Sequence, residues 1–225
     1  FGMPLSFNLA TRPENAMGDP KIWTEAENDL ESALKKAKVK YQIKEKEGAF
    51  YGPKIDINAT DSQSREWTIA TIQLDFQLPE KFELEYIAED GSKKRPVMIH
   101  RAVLGTFERF IGIITEHFQG AFPLWLSPVQ VAVLPISDKQ NEWAEKVYEE
   151  LKKNGLRAEL NLDNETLGKK IRTSEMQKIP YLLIIGEKEE KAKSVAVRQR
   201  GKGDIGAMEI DTILARLKEE IKLKK

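Results

Sequence analysis

Lys54, Asp56 and Asn58 stand two residues apart in GAFYGPKIDIN (residues 48–58), alternating with Ile55 and Ile57. Residues two apart on a strand point the same way, so the spacing predicts one polar and one apolar face. TIQLDFQLP (71–79) repeats the pattern, with Thr71, Gln73 and Asp75 on one face. In MIHRAVLGTFERFIG (98–112) the period changes. Gly105, Arg109 and Gly112 are four and three apart, which predicts one face of a helix carrying an arginine flanked by glycines. Glycine in a helix interior costs about 0.5–1 kcal/mol relative to alanine, so two on one face ask for a packing or ligand reason. One lysine, one arginine and a row of uncharged hydrogen-bonding groups are what an anionic nucleotide and a small polar substrate would need.

Each of these residues also has an ordinary reading. Lys54 reads as a surface lysine, since lysine is mostly exposed. Tyr51 reads as a core tyrosine with a satisfied hydroxyl. Arg109 reads as a helix-surface ion pair with Glu108 or Glu116, and His100 as a structural histidine. His117 is assigned no ligand role.

The elements that must position them follow from periodicity. Residues 5–10 read as a strand, broken by Arg12 and Pro13. Asp19-Pro20 reads as a helix start, and Ile22, Trp23, Ala26, Leu30, Ala33 and Leu34 recur at helical spacing after it. From 41 to 99 the pattern has period two. Residues 82–88 and 95–99 flank Glu89-Asp90-Gly91-Ser92, a hairpin turn, and together these strands imply an antiparallel sheet. A helix follows with Leu104, Phe107, Phe110, Ile111, Ile114 and Phe118 as its expected buried stripe. This first part is α+β. Residues 123–128 read as a boundary, giving domains 1–127 and 128–225. Beyond it strands at 129–134, 156–162, 181–185 and 194–199 alternate with helices at 141–153, 167–177 and 211–223. That alternation predicts an α/β domain with a mixed, mostly parallel sheet. No internal repeat is visible, and the basic tail at 222–225 is the one biased tract.

Lys plus Arg and Asp plus Glu both number 36, so the formal net charge is zero and does not advertise a nucleic-acid binder. Local distribution says more: residues 169–202 hold ten basic and four acidic side chains. There is no cysteine, which excludes disulfides and thiolate metal ligands from this chain. No apolar run approaches the roughly 20 residues that span a bilayer. The chain begins at Phe1 and not at Met, and reads as a fragment.

The GAFYGPK strand, the TIQLDF strand, the MIHRAVLGTFERF segment and the PLWLSPVQV passage (123–131) resemble the threonyl-tRNA synthetase family of class IIa aminoacyl-tRNA synthetases. The resemblance covers essentially all 225 residues. It implies the later part of a class II catalytic domain with its motif 3, followed by a class IIa anticodon-binding domain. Motifs 1 and 2 are expected to lie upstream, so this chain alone is expected to be inactive.

The resemblance also implies roles. Lys54 would contact the ATP phosphates near the reacting carboxylate, Arg109 would hold the γ-phosphate, and Gly105 and Thr68 would lie at the nucleotide. The family usually has Gln then Cys where this chain has Thr68-Ile69, so a shorter hydroxyl would act there, through water. Tyr51, Thr71, Gln73 and Thr106 would surround threonine. His100 would be one of three zinc ligands, the other two lying upstream. Asn164, Glu189 and Arg198 would read anticodon bases, with Lys169, Lys170, Arg172, Arg200 and Lys202 on tRNA phosphates. For any single lysine the alternative is a solvated surface.

On this reading the whole enzyme is a cytoplasmic homodimer. It activates L-threonine with ATP and Mg²⁺ and transfers it to threonine tRNA, with Zn²⁺ at the amino-acid site. Two alternatives stay open: a non-catalytic RNA- or protein-binding module on a synthetase-like scaffold, and a prolyl or glycyl class IIa enzyme.

Overall fold

The computed structural model describes residues 1–224 and divides them into two compact units, 1–117 and from 118 onward. Lys225, the last residue of the basic tail, lies outside the described residues.

The first unit opens with strand β1 (Leu5–Ala10) and helix α1 (Pro20–Lys36). Asp19 caps α1, its carboxylate accepting from the Lys21 N–H at 2.9 Å, and Pro20 occupies the first turn where its missing donor costs nothing. The buried stripe of α1 is Trp23, Ala26, Leu30 and Leu34; Ile22 and Ala33, expected in it, are exposed. Strands β2 (Tyr41–Lys44), β3 (Lys54–Thr60) and β4 (Glu66–Asp75) follow, then the short helix α2 (Gln77–Lys81). Strands β5 (Tyr86–Ile87) and β6 (Lys93–Lys94) make a small separate hairpin, and β7 (Met98–Ala102) leads to helix α3 (Phe107–His117).

The main sheet has the order β2-β1-β3-β4-β7. It is antiparallel except at one edge, where β2 pairs parallel with β1. That departs from the expected all-antiparallel sheet, and α1 is the reason. A helix between two strands carries the chain back to the same end, as parallel pairing requires. Phe7, Leu9, Ile55, Ile57, Ile72 and Leu74 face α1, where Leu30 and Leu34 cover them.

The expected hairpin around residues 89–92 exists, but each strand is two residues long; Met98 and Ile99 belong instead to the main sheet. The α3 stripe also differs. Phe110, Ile113 and Ile114 are buried, whereas Phe107 and Ile111 are 80% and 55% exposed. The helix begins later than the spacing implied. Leu104 and Gly105 both adopt φ of +67°, which turns the chain between β7 and α3.

The second unit contains β8 (Val131–Pro135), α4 (Asn141–Lys153), β9 (Ala158–Leu160), α5 (Leu167–Met176), β10 (Tyr181–Ile185), α6 (Glu187–Ala192), β11 (Ser194–Gln199), β12 (Gly203–Glu209) and α7 (Ile210–Lys222). Its sheet runs β12-β11-β10-β8-β9. The β9-β8-β10 pairings are parallel, and β11 and β12 add antiparallel strands. One core joins Val131, Val133, Leu183 and Ile185 to Ala144, Val147, Leu151, Ile213 and Leu217; a second, on the other face, joins Ala132, Leu134, Leu182 and Ile179 with Ile171.

The 118–130 passage is bonded into this unit. Arg157 donates to the carbonyls of Ser127 and Trp125, each at 2.9 Å, Gln130 to that of Leu124, and Leu124 is 1% exposed in the larger core. A polypeptide of residues 118–225 should therefore unfold cooperatively on its own in urea. One beginning at residue 128 loses Leu124 and should be less stable by about 2 kcal/mol or more. Equal stabilities would show that the passage contributes nothing.

Candidate functional site

The site of the first unit is built by strand register. Lys54 pairs directly with Gln73, Asp56 with Thr71, and Asn58 with Thr68; Gln73 in turn pairs with His100 and Thr71 with Ala102. Directly opposed residues share a face, so Lys54, Gln73 and His100 form one row across β3, β4 and β7. Thr68 is even-numbered where Thr71, Gln73 and Asp75 are odd. A β-bulge reconciles them: the register skips Ile69, and Thr68 returns to the polar face.

Hydrogen bonds knit this face. Lys54 Nζ lies 2.7 Å from Asp56 Oδ2, both side chains largely buried. The other Asp56 oxygen is buried and has no partner among the described residues. The Thr68 hydroxyl donates to Asn58 Oδ1 at 2.8 Å, so the residue that departs from the family pattern is held by a neighbour on the same face. The Tyr51 hydroxyl donates to the Gln73 side-chain carbonyl, and the Gln73 amide donates to Thr71 Oγ1 at 3.3 Å. Tyr51 reaches this position because Gly52 passes close to β4; a Cβ there would lie 1.8 Å from the Leu74 carbonyl oxygen.

His100 Nε2 sits 2.8 Å from Asp75 Oδ2, and its ring meets that of Tyr51 edge-on at 5.8 Å. The other Asp75 oxygen accepts from the Gln77 and Leu78 N–H groups that open α2. Burial pushes the Asp75 carboxyl up, but His100 and these two N–H groups outweigh it and hold it below its ordinary value. Phe50, Tyr51, Asp75, Leu78 and His100 line a cavity of about 260 Å³. A histidine with one nitrogen on a buried carboxylate offers the other, Nδ1, to a metal, so this pair fits a metal ligand with its supporting carboxylate. Among the described residues no group of three or more His, Cys, Asp or Glu could hold a metal by itself.

Arg109 lies in the first turn of α3, exposed, with its guanidinium 5.4 Å from the centre of the Trp67 ring. The ion pair with Glu116 is not made, because Glu116 bonds Arg65, which also lies 5.2 Å from the Trp67 ring. Gly112 shares the helix with Arg109 but Gly105 precedes it, so the two flanking glycines do not lie on one helix. Thr106 is also outside α3: its hydroxyl accepts from the Arg109 N–H at 3.4 Å, and its carbonyl from Phe110.

In the second unit, Asn164 is exposed in the loop between β9 and α5. Glu189 bonds the Gly186 N–H at 3.0 Å, next to the carboxyl end of β10. Arg198, opposite Leu182 on β11, donates to Glu175 at 3.4 Å, and its Nε is buried with no partner among the described residues. Asn164 precedes α5 and Glu175 lies near its other end, so a helix of ten residues, roughly 15 Å, separates Asn164 from the Arg198 contact.

Two expected phosphate contacts are corrected. Lys170 is 3% exposed, with its ammonium on the carbonyls of Pro135 and Asn161. The Arg200 guanidinium donates to the carbonyls of Lys178, Ala121 and Phe122. Both groups are directed into the protein. Arg172 and Lys202 are exposed; Lys169 is exposed and pairs with Glu165 at 2.5 Å.

Comparison with known proteins now bears on the whole chain. A family model for the tRNA synthetase class II core domain (G, H, P, S and T) matches residues 15–118, and one for an anticodon binding domain matches 130–220. The threonine–tRNA ligase of Caldanaerobacter subterraneus subsp. tengcongensis is 54% identical over 224 residues, covering 100% of this chain; that of Desulforamulus reducens is 51% identical. The chain belongs to the threonyl-tRNA synthetase family. It spans about 35% of the length of these relatives. Among solved structures, the RNA binding domain of threonyl-tRNA synthetase from Cryptosporidium parvum Iowa II superposes with a TM-score of 0.88 at 40% identity, covering 97% of this chain and 56% of that one. A putative threonyl-tRNA synthetase from Aeropyrum pernix gives 0.76 at 26% identity, covering 98% and 55%. A prolyl-tRNA synthetase from Cryptosporidium parvum shares the fold, at 22% identity. Neither prolyl or glycyl specificity nor a non-catalytic module finds support in these relatives.

The sequence did not flag Asp61, which organises the approach to α3. It accepts from the Gln63 and Arg65 N–H groups, Arg65 Nε and Trp67 Nε1. Burial pushes this carboxyl up, but Trp67 and Arg65 with the two backbone donors hold it well below the ordinary range. Such a group adds stability above the unfolded value, near pH 4, that is lost as pH falls through the lower folded value. Asp61→Asn should therefore destabilise the first unit at pH 7, by an amount that shrinks on acidification below about pH 4. Urea unfolding at a series of pH values, followed by tryptophan fluorescence, measures this. A pH-independent difference would contradict it.

Proposed function

We propose that this chain forms the threonine- and ATP-binding face and the anticodon-reading domain of a threonine–tRNA ligase. The enzyme condenses L-threonine with ATP and passes the threonyl group to threonine tRNA. The observation that carries the reading is the row Lys54–Gln73–His100, set by register across three strands with Tyr51 bonded to its middle member.

In the first step the threonine carboxylate attacks the α-phosphorus of ATP and pyrophosphate leaves. Lys54 neutralises charge on the phosphate as the new bond forms, and Arg109 holds the γ-phosphate, with Gly105 and Thr68 at the nucleotide. Tyr51, Thr71, Gln73 and Thr106 orient the amino acid. In the second step a terminal ribose hydroxyl of tRNA attacks the threonyl carbonyl and AMP leaves. No nucleophile from the protein is needed; orientation and charge stabilisation supply the rate. Mg²⁺ accompanies the triphosphate.

His100 is read as one ligand of a Zn²⁺ site, through Nδ1, with Asp75 fixing the ring. Zinc, when bound, would take the amino and hydroxyl groups of threonine and reject valine, which lacks the hydroxyl. Asn164, Glu189 and Arg198 read anticodon bases, while Lys169, Arg172 and Lys202 contact phosphates. The enzyme is read as a cytoplasmic homodimer; among the described residues no helix is long and apolar enough to cross a membrane.

ATP–pyrophosphate exchange by the whole enzyme tests this. Arg109→Ala removes a charge-assisted contact of about 1.5–3 kcal/mol, so activation should fall at least about tenfold while anticodon stem-loop binding is unchanged. Unaltered exchange would make Arg109 a surface residue stacked on Trp67 and remove the motif 3 assignment.

A further inference from the structure

Lys170 is the only lysine or arginine among the described residues that is fully buried. Burying a cation is costly, and apolar replacements of buried charges are often neutral or stabilising. Stability alone therefore does not account for an ammonium at 3% exposure on α5. Its contacts suggest what does. Nζ donates to the carbonyl of Pro135, the last residue of β8, at 3.2 Å, and to that of Asn161, the first residue after β9, at 3.1 Å. These two carbonyls mark where the parallel strands end and the 161–166 loop begins.

The rest of the loop is ordered outward from that grip. The Asn161 N–H donates to the Val133 carbonyl, and Asn161 Oδ1 accepts from Asp163. Glu165 N–H bonds Asp163, and Thr166 caps α5. Asn164 stands exposed in the middle.

We propose that Lys170 is a positioning residue for base recognition: it ties the loop to β8, sets where Asn164 is presented, and touches no RNA. The proposal rests on the reading of Asn164 as a base-reading residue.

The two roles open to a lysine here give different signatures. A phosphate contact weakens all RNAs alike and makes the salt dependence shallower; a positioning residue alters discrimination and leaves the salt slope intact. The test uses the 225-residue chain with two probes, the threonine anticodon stem-loop and the same stem-loop with its middle anticodon base changed. Lys170→Met should reduce the preference for the first probe about tenfold, with no change in the slope of log K against log salt. Lys170→Arg, which keeps donors for both carbonyls, should restore part of that preference. Amide hydrogen exchange, measured without RNA, should quicken at least about tenfold at residues 161–166 in Lys170→Met and stay unchanged in β10.

A salt slope shallower by about one would make Lys170 a phosphate contact and overturn the proposal. Unchanged exchange in the loop would also overturn it, because the clamp would not exist. If Lys170→Met does not fold, Lys170→Gln takes its place with the same expectations. Asn164→Ala separates the two levels: unchanged discrimination there removes the base-reading role, while the exchange measurement still decides whether Lys170 holds the loop.

Discussion

The register of β3 against β4 is the constraint on which the site depends. Three polar pairs, Lys54–Gln73, Asp56–Thr71 and Asn58–Thr68, oppose each other across these strands. The intervening Ile55, Ile57 and Ile72 bury against α1. A slip of one residue would turn every polar group into the α1 core and every isoleucine onto the polar face. Apolar packing on one side thus fixes where hydrogen bonds and charge appear on the other. The bulge at Ile69 is the one place where strict alternation would fail, and it restores Thr68 to the polar face.

The second unit depends on a similar division. Its basic stretch supplies far fewer free cations than its composition implies. Lys170 and Arg200 hold main-chain carbonyls together, and Lys169 and Arg198 contact Glu165 and Glu175. Lys169, Arg172 and Lys202 stay exposed at the surface. Under the proposed function, this would suit recognition of a few splayed bases better than a broad electrostatic grip on a helix.

Much of this was legible in the sequence. Asp19-Pro20 announced α1 by a mechanism that holds whatever the surroundings, a side-chain cap followed by a residue that needs no donor. The alternations 54–58 and 71–75 gave the polar face, because period two is a local property. The alternation of strands and helices after residue 128 gave the α/β class. Other features depend on contacts between distant segments. The bulge at Ile69 exists only relative to β3. Gly105 looked helical by spacing, but the backbone turns at Leu104 and Gly105 before α3 begins. Lys170 and Arg200 looked like surface cations, because composition does not reveal which carbonyls lie within reach. The His100–Asp75 pair joins residues 25 positions apart, and the sequence marked each of them without joining them.

The central claim is that the polar face of β3, β4 and β7 is where threonine and ATP meet. Hydrogen–deuterium exchange of the whole enzyme, with and without a non-hydrolysable threonyl-adenylate analogue, addresses it most directly. The account predicts added protection at residues 50–58, 68–75 and 98–109, with residues 130–222 unaffected. Protection confined to the second unit, or absent from β3 and β4, would contradict it.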